Sequence, residues 1–128
     1  MRYFQTISNR RIANVDKTMG ISLTDKAIII TGASSGIGAA SAVACARAGM
    51  SVLLNGRHEV RLAKVAKQIR ELGQRVEVVV GDVTDRNLSE QLLDTAESSF
   101  GGFYAVFANA GIGLDQPLCS MSTEEVRR

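Results

Sequence analysis

The stretch Thr31-Gly32-Ala33-Ser34-Ser35-Gly36-Ile37-Gly38 constrains this chain more than any other. An apolar, mostly β-branched run, Ala27-Ile28-Ile29-Ile30, leads into it, and an Ala-rich helical pattern from Ala39 to Ala48 leads out. A strand that turns through glycines into a helix aims backbone N–H groups and a helix N-terminus at one point, which suits a phosphate. Gly32 is expected to make the sharp turn off the strand, with positive φ. Gly36, lacking a side chain, lets a diphosphate approach the backbone. Gly38 lets the helix lie close on the strand, and Ser34 and Ser35 place hydroxyl donors at the mouth. The contact set expected of this turn is Gly32, Ser34, Ser35, Gly36, Ile37 and Gly38. Its Gly-x-x-x-Gly-x-Gly spacing differs from the better-known Gly-x-Gly-x-x-Gly. A glycine-rich turn with no ligand is the bland alternative.

The rest of the chain repeats the alternation. Lys26–Thr31 reads as a first strand, apolar throughout as a strand buried on both faces should be. A helix from Ser35 or Gly36 to Ala48 follows, with Ile37, Ala40, Ala44 and Ala48 at helical spacing and Gly49 as its stop. Ser51–Leu54 is a second strand. His58–Leu72 is a second helix with Leu62, Val65, Ala66, Ile69 and Leu72 on one stripe. Val76–Val80 is a third strand. Asp85–Phe100 is a third helix, with Thr84 as its expected cap and Leu88, Leu92, Leu93 and Ala96 inward. Phe103–Ala108 is a fourth strand. This order predicts an α/β fold with a parallel sheet and right-handed crossovers.

At 128 residues the chain is about one domain. Its basic balance lies in the tail, where Arg2, Arg10, Arg11 and Lys17 face only Asp16; the body is near neutral and offers no nucleic-acid face. Residues 1–20 are expected to be a flexible basic extension, with a mitochondrial-type targeting peptide, or a start at Met19, as other readings. No apolar run approaches the ~20 residues of a membrane helix. Cys45 and Cys119 have no metal-like spacing and read as reduced thiols of a cytoplasmic protein, a bridge being the alternative.

In parallel α/β sheets ligands sit off the carboxyl ends of the strands. The first end offers the glycine turn, the second Asn55-Gly56-Arg57, the third Gly81-Asp82-Val83, the fourth Asn109-Ala110-Gly111. About 20 residues past the turn, where an acid holds the adenosine ribose of NAD, stand Gly56 and then Arg57. An acid would repel a 2′-phosphate, whereas a small residue followed by a guanidinium accepts one. That points to NADP(H) rather than NAD(H), with His58 and Arg61 adding positive potential. The alternative is a solvated Arg57, with Glu59 making the ribose contact. Asp82 could accept from the adenine amino group with Val83 against the ring, or serve only as a helix-entry residue. Small residues at Asn109-Ala110-Gly111 let a cofactor pass, and the Asn amide can tie strands together.

Thr31–Gly38, Gly81-Asp82-Val83 and Ala108-Asn109-Ala110-Gly111 together resemble the short-chain dehydrogenase/reductase family, over about residues 22 to 128. Ala108 stands where the family commonly has a first Asn. The resemblance implies a Rossmann-type, doubly wound parallel sheet, here truncated after the fourth strand, with residues 21–128 as a partial NADP-binding domain. It implies hydride transfer between a nicotinamide cofactor and an alcohol or ketone substrate, and a homo-oligomer in the full-length enzyme. The family's catalytic Ser and Tyr-x-x-x-Lys lie later than its Asn-Ala-Gly element, and this sequence does not contain the pair. Tyr3 is followed four residues on by Ile7, and Tyr104 by Ala108. Ser122-Thr123-Glu124-Glu125 is a capping box that starts a helix just before the last residue, Arg128, so a fragment of a longer frame is expected. A non-catalytic NADP-binding or regulatory module is the alternative.

Overall fold

The computed structural model describes residues 20–112 and 122–126. The expectations for the basic extension before Gly20, and for Cys119, fall outside the described residues. Four strands, β1 (Ala27–Ile30), β2 (Ser51–Gly56), β3 (Val76–Val80) and β4 (Ala105–Phe107), alternate with α1 (Gly36–Arg47), α2 (Glu59–Glu71) and α3 (Leu88–Phe100). A short α4 (Thr123–Val126) begins directly after Ser122, where the capping box places it. The strands form one parallel sheet in the order β3-β2-β1-β4. The chain steps outward from β1 to β3 and then crosses back to the other side of β1. The order therefore reverses between β1 and β4, the kind of switch point at which such sheets open a crevice.

Alternation along the central strands divides the core into two layers. Ile30, Val52 and Leu54 pack with Leu62, Val65, Ala66 and Ile69 of α2 and Ala42 and Ala46 of α1. Ile29 and Leu53 point the other way, into Leu88, Leu92 and Ala96 of α3. All six residues of β2 are buried, which is why Val52, Leu53 and Leu54 read as an unbroken apolar run before Asn55.

The structure moves several expected boundaries and faces. The inward face of α1 is Gly38, Ala42 and Ala46; Ile37, Ala40 and Ala44 face outward, and Ile37 is 72% exposed. A helix made almost wholly of small apolar residues has little contrast between its faces, so spacing alone chose the wrong stripe. Leu72 follows the last turn of α2 and is exposed. In α3, Leu93 is exposed although Leu88, Leu92 and Ala96 are buried. That helix starts at Leu88 rather than Asp85, and Thr84 does not cap it. The Thr84 N–H and hydroxyl both donate to Asp82 Oδ1, at 3.0 and 2.8 Å. The Asn87 N–H donates to Asp85 Oδ1 at 2.9 Å. Two successive Asp-centred turns thus occupy the residues expected in the first helical turn. β2 runs two residues longer than expected, and β4 is shorter at both ends.

Candidate functional site

The glycine turn is clamped from both sides. On the β4 side, Thr31 Oγ1 accepts the N–H groups of Asn109 and Ala110, each at 3.1 Å. Asn109 Nδ2 returns two bonds, to the carbonyls of Thr31 and Gly32, both at 3.3 Å. On the β2 side, the Ala33 N–H donates to the Asn55 carbonyl at 2.9 Å. Gly32 has φ +65°, and a Cβ there would come within 2.9 Å of Ala110 Cα. Both backbone conformation and space therefore demand glycine. A Cβ on Gly38 would strike the Gly32 carbonyl and Asn109 Nδ2. Gly38 thus brings α1 against the turn itself rather than against the strand.

Gly36 is different in kind. Its φ is +54°, yet no described residue lies within 4 Å of where a Cβ would stand. Ser35, extended at the N-cap, makes no capping bond with its side chain, and the first turn of α1 holds no acid. The leading N–H groups of a helix have no intrahelical acceptor, and among the described residues neither a capping hydroxyl nor a first-turn carboxylate answers them. An open glycine backbone beside an uncapped helix start fits a diphosphate, the central group of a dinucleotide.

The residues expected to face an adenosine lie where β2 and β3 end. Gly56 is the last residue of β2, 3.4 Å from Ser34 and Leu62 by the position a Cβ would take, so the turn and the second strand end touch. Arg57 leaves the strand at once, its Nη1 3.7 Å from Asp82 Oδ2, with the two side chains 63% and 45% exposed. His58 is the N-cap residue of α2 and makes no side-chain cap bond. Glu59 is the first residue of α2, inside the first turn as expected. Val83 is exposed beside them. Thr84 holds the Asp82 carboxyl below the usual carboxylate range, through its backbone N–H first and its hydroxyl second, with Arg57 adding a smaller electrostatic pull. Asp82 therefore shapes the helix entry while its second oxygen faces Arg57.

The residues expected at the site thus share one end of the sheet, with Ala110 and Gly111 exposed along the β4 side. Three side chains take roles that differ from, or add to, those expected. Thr31 supplies the hydroxyl that seats Asn109, Thr84 fixes Asp82, and Asn55 bridges β2 to β3. Their signal was present: each is a hydrogen-bonding side chain within a few residues of a strand end. Cys45 is a free thiol, half-buried in α1, and burial pushes its pKa up. Among the described residues no cluster of His, Cys, Asp and Glu could hold a metal, and no helix is long and apolar enough to cross a membrane.

Comparison with known proteins agrees with this geometry. The family model for short chain dehydrogenase matches residues 26–128. An uncharacterized oxidoreductase from Staphylococcus saprophyticus is 38% identical over 105 residues, covering 81% of this chain and 45% of the relative. One from Mycobacterium tuberculosis is 38% identical over 104 residues, covering 81% and 40%. A short-chain type dehydrogenase/reductase from Mycobacterium marinum superposes with a TM-score of 0.74 at 36% identity, over 83% of this chain and 43% of that one. L-sorbose reductase from Gluconobacter frateurii, complexed with NADPH and L-sorbose, gives 0.73 at 33% identity, over 81% and 41%. The chain spans less than half the length of these relatives. With the switch-point crevice, the clamped glycine turn and these matches in agreement, the chain belongs to the short-chain dehydrogenase family and carries its Rossmann-like α/β fold.

Proposed function

We propose that this chain is the cofactor-holding half of an oxidoreductase that uses NADP(H) to interconvert an alcohol and a carbonyl compound. The observation that carries the reading is the uncapped first turn of α1 over the bare backbone at Gly36. Gly36 with Ser34 and Ser35 would hold the diphosphate. Arg57, with His58 beside it, would take the 2′-phosphate, since a guanidinium matches that group and no acid stands at the end of β2 to repel it. Asp82 and Val83 would border the adenine, and Asn109, Ala110 and Gly111 the path toward the nicotinamide. Bound there, NADP(H) supplies or accepts the hydride. The NADPH-bound sorbose reductase among the structural relatives favours the same cofactor and a small hydroxylated or carbonyl substrate. For the whole protein the reading expects a homo-oligomer in the cytoplasm, acting without nucleic acid or membrane.

Fluorescence titration with NADPH and NADH tests the cofactor. The wild-type chain should favour NADPH, and Arg57→Ala should weaken NADPH binding by about tenfold, or ~1.4 kcal/mol, with little effect on NADH. Equal affinities, unchanged by Arg57→Ala, would sink the role given to Arg57.

A second reading, a non-catalytic NADP-binding module, draws on one observation: neither Tyr3 nor Tyr104 has a lysine four residues on. On either reading the 128-residue chain should consume no NADPH with any ketone. Coding sequence beyond Arg128 separates the two. A downstream Ser and Tyr-x-x-x-Lys supports the enzyme, and their absence in all three frames supports the module.

A further inference from the structure

Two side-chain amides flank β1 in the sheet, and only one belongs to the glycine turn. Asn109 clips the end of β4 to Thr31 and Gly32. Asn55, on the other side, is fully buried in β2, and its Nδ2 donates to the carbonyls of Val79 at 3.0 Å and Gly81 at 3.2 Å. Two carbonyl partners require the nitrogen, not the oxygen, to face β3. Oδ1 has no hydrogen-bond partner among the described residues.

The reach of this amide is what matters. The paired register of β2 and β3 ends at Gly56 and Val80, and the backbone then makes one more bond, from the Gly81 N–H to the Gly56 carbonyl at 3.0 Å. The Gly81 carbonyl belongs to the next peptide, the one that carries the N–H of Asp82. By gripping it, Asn55 sets the direction in which the chain leaves β3. Asp82 then stands 3.7 Å from Arg57, its other oxygen held by Thr84. Packing does not call for an amide here. Val52, Leu53 and Leu54, just before it in the same strand, are fully buried and apolar, and a buried polar atom left without a partner is costly. The donating end of Asn55 accounts for its presence.

We propose that Asn55 is the positioning residue for the adenosine end of the cofactor: its amide holds the Gly81–Asp82 peptide so that Asp82 and Arg57 stand side by side, and this sets the preference for a 2′-phosphorylated nucleotide. The inference rests on the NADP(H) reading above. At 3.7 Å Asp82 pairs with Arg57 by charge without a hydrogen bond, which leaves the guanidinium donors to an incoming phosphate. An arginine already oriented loses less freedom on binding than one that swings in solvent.

Calorimetric titration of the chain with 2′,5′-ADP and 5′-AMP, probes that differ only in the 2′-phosphate, tests this. The wild type should favour 2′,5′-ADP. Asn55→Leu, similar in size and without donors, should lower the ratio of the two affinities by about tenfold, with the larger loss on 2′,5′-ADP. If Asn55→Leu shows no cooperative thermal transition, Asn55→Ser takes its place. Its hydroxyl can serve at most one of the two carbonyls, so a smaller fall in the ratio is expected. A folded variant in which both affinities drop together, leaving the ratio at the wild-type value, would mean that Asn55 is structural only and would overturn the proposal. A wild-type chain that binds both probes equally, or an Arg57→Ala chain that keeps the wild-type ratio, would remove the cofactor reading beneath it. That failure is seen without any Asn55 variant.

Discussion

Glycines with similar backbone angles can serve opposite ends, and Gly32 and Gly36 show how. Gly32 is enclosed by Ala110 and Asn109, whereas Gly36 faces open space. Gly36→Ala should therefore cost only the left-handed conformation, about 1–2 kcal/mol, and keep a cooperative melt, yet block NADPH through its new methyl group. Gly32→Ala adds a steric clash and should lose both stability and binding. Thermal melts paired with cofactor titrations check the contrast, and equal losses of stability in the two variants would contradict it. Asp82 makes a pH prediction. Its carboxyl is held below the ordinary range, so its contacts contribute stability above about pH 3.9, the unfolded value, and lose it as pH falls through the lower folded value. Neutral-pH binding should be indifferent to this titration. Because the hydroxyl of Thr84 outweighs the charge of Arg57, Thr84→Val should raise the Asp82 midpoint, followed by carboxyl-carbon NMR, more than Arg57→Ala does.

At the scale of elements, α1 is defined by how little it carries. Its buried face is Gly38, Ala42 and Ala46, so the helix axis can approach the sheet closely. Ala42→Leu should destabilise by roughly 1–3 kcal/mol through overpacking, while Ala44→Leu, on the exposed face, should stay within about 0.5 kcal/mol. Denaturant melts of the two would show whether the face runs through Ala42 or through Ala44. The same helix shows what the sequence could reveal. The α2 stripe was legible because Leu62, Val65 and Ile69 alternate with Lys64, Lys67 and Arg70, and the sheet was legible because strand and helix lengths demand a parallel crossover. The face of α1 was not, since alanine looks alike on both sides. The start of α3 was hidden because Asp82 and Asp85 compete for the backbone groups a helix would have used. At the candidate site, glycines and charged side chains announced themselves, whereas Asn55 read as the polar end of an apolar strand, because its burial and its reach to β3 depend on a neighbour 24 residues away.

Across the whole molecule the two faces of the sheet are unequally covered. Among the described residues, α1 and α2 enclose one and α3 covers only part of the other. A groove of about 360 Å³ remains beside α3, with Ile29, Leu92, Leu93, Val83 and Val106 along it. Val106 lies on β4, an edge strand among the described residues, and is 54% exposed. An apolar strip along an open edge favours association. The 128-residue chain should scatter light increasingly with concentration and enhance the fluorescence of an apolar dye, and Val106→Lys should reduce both. Unchanged scattering in that variant would place the sticky surface elsewhere. The bond from Asn109 to Gly32 has a further consequence, one of timing. It joins residues 77 positions apart, so a chain emerging from the ribosome exposes β1, β2 and β3 before the residue that completes its first turn. At about 5–20 residues per second, Asn109 is added roughly 4 to 15 seconds after Gly32. The glycine turn is synthesised early and fastened late, so on the proposed reading the chain would gain its grip on a nucleotide only once β4 has been made and docked.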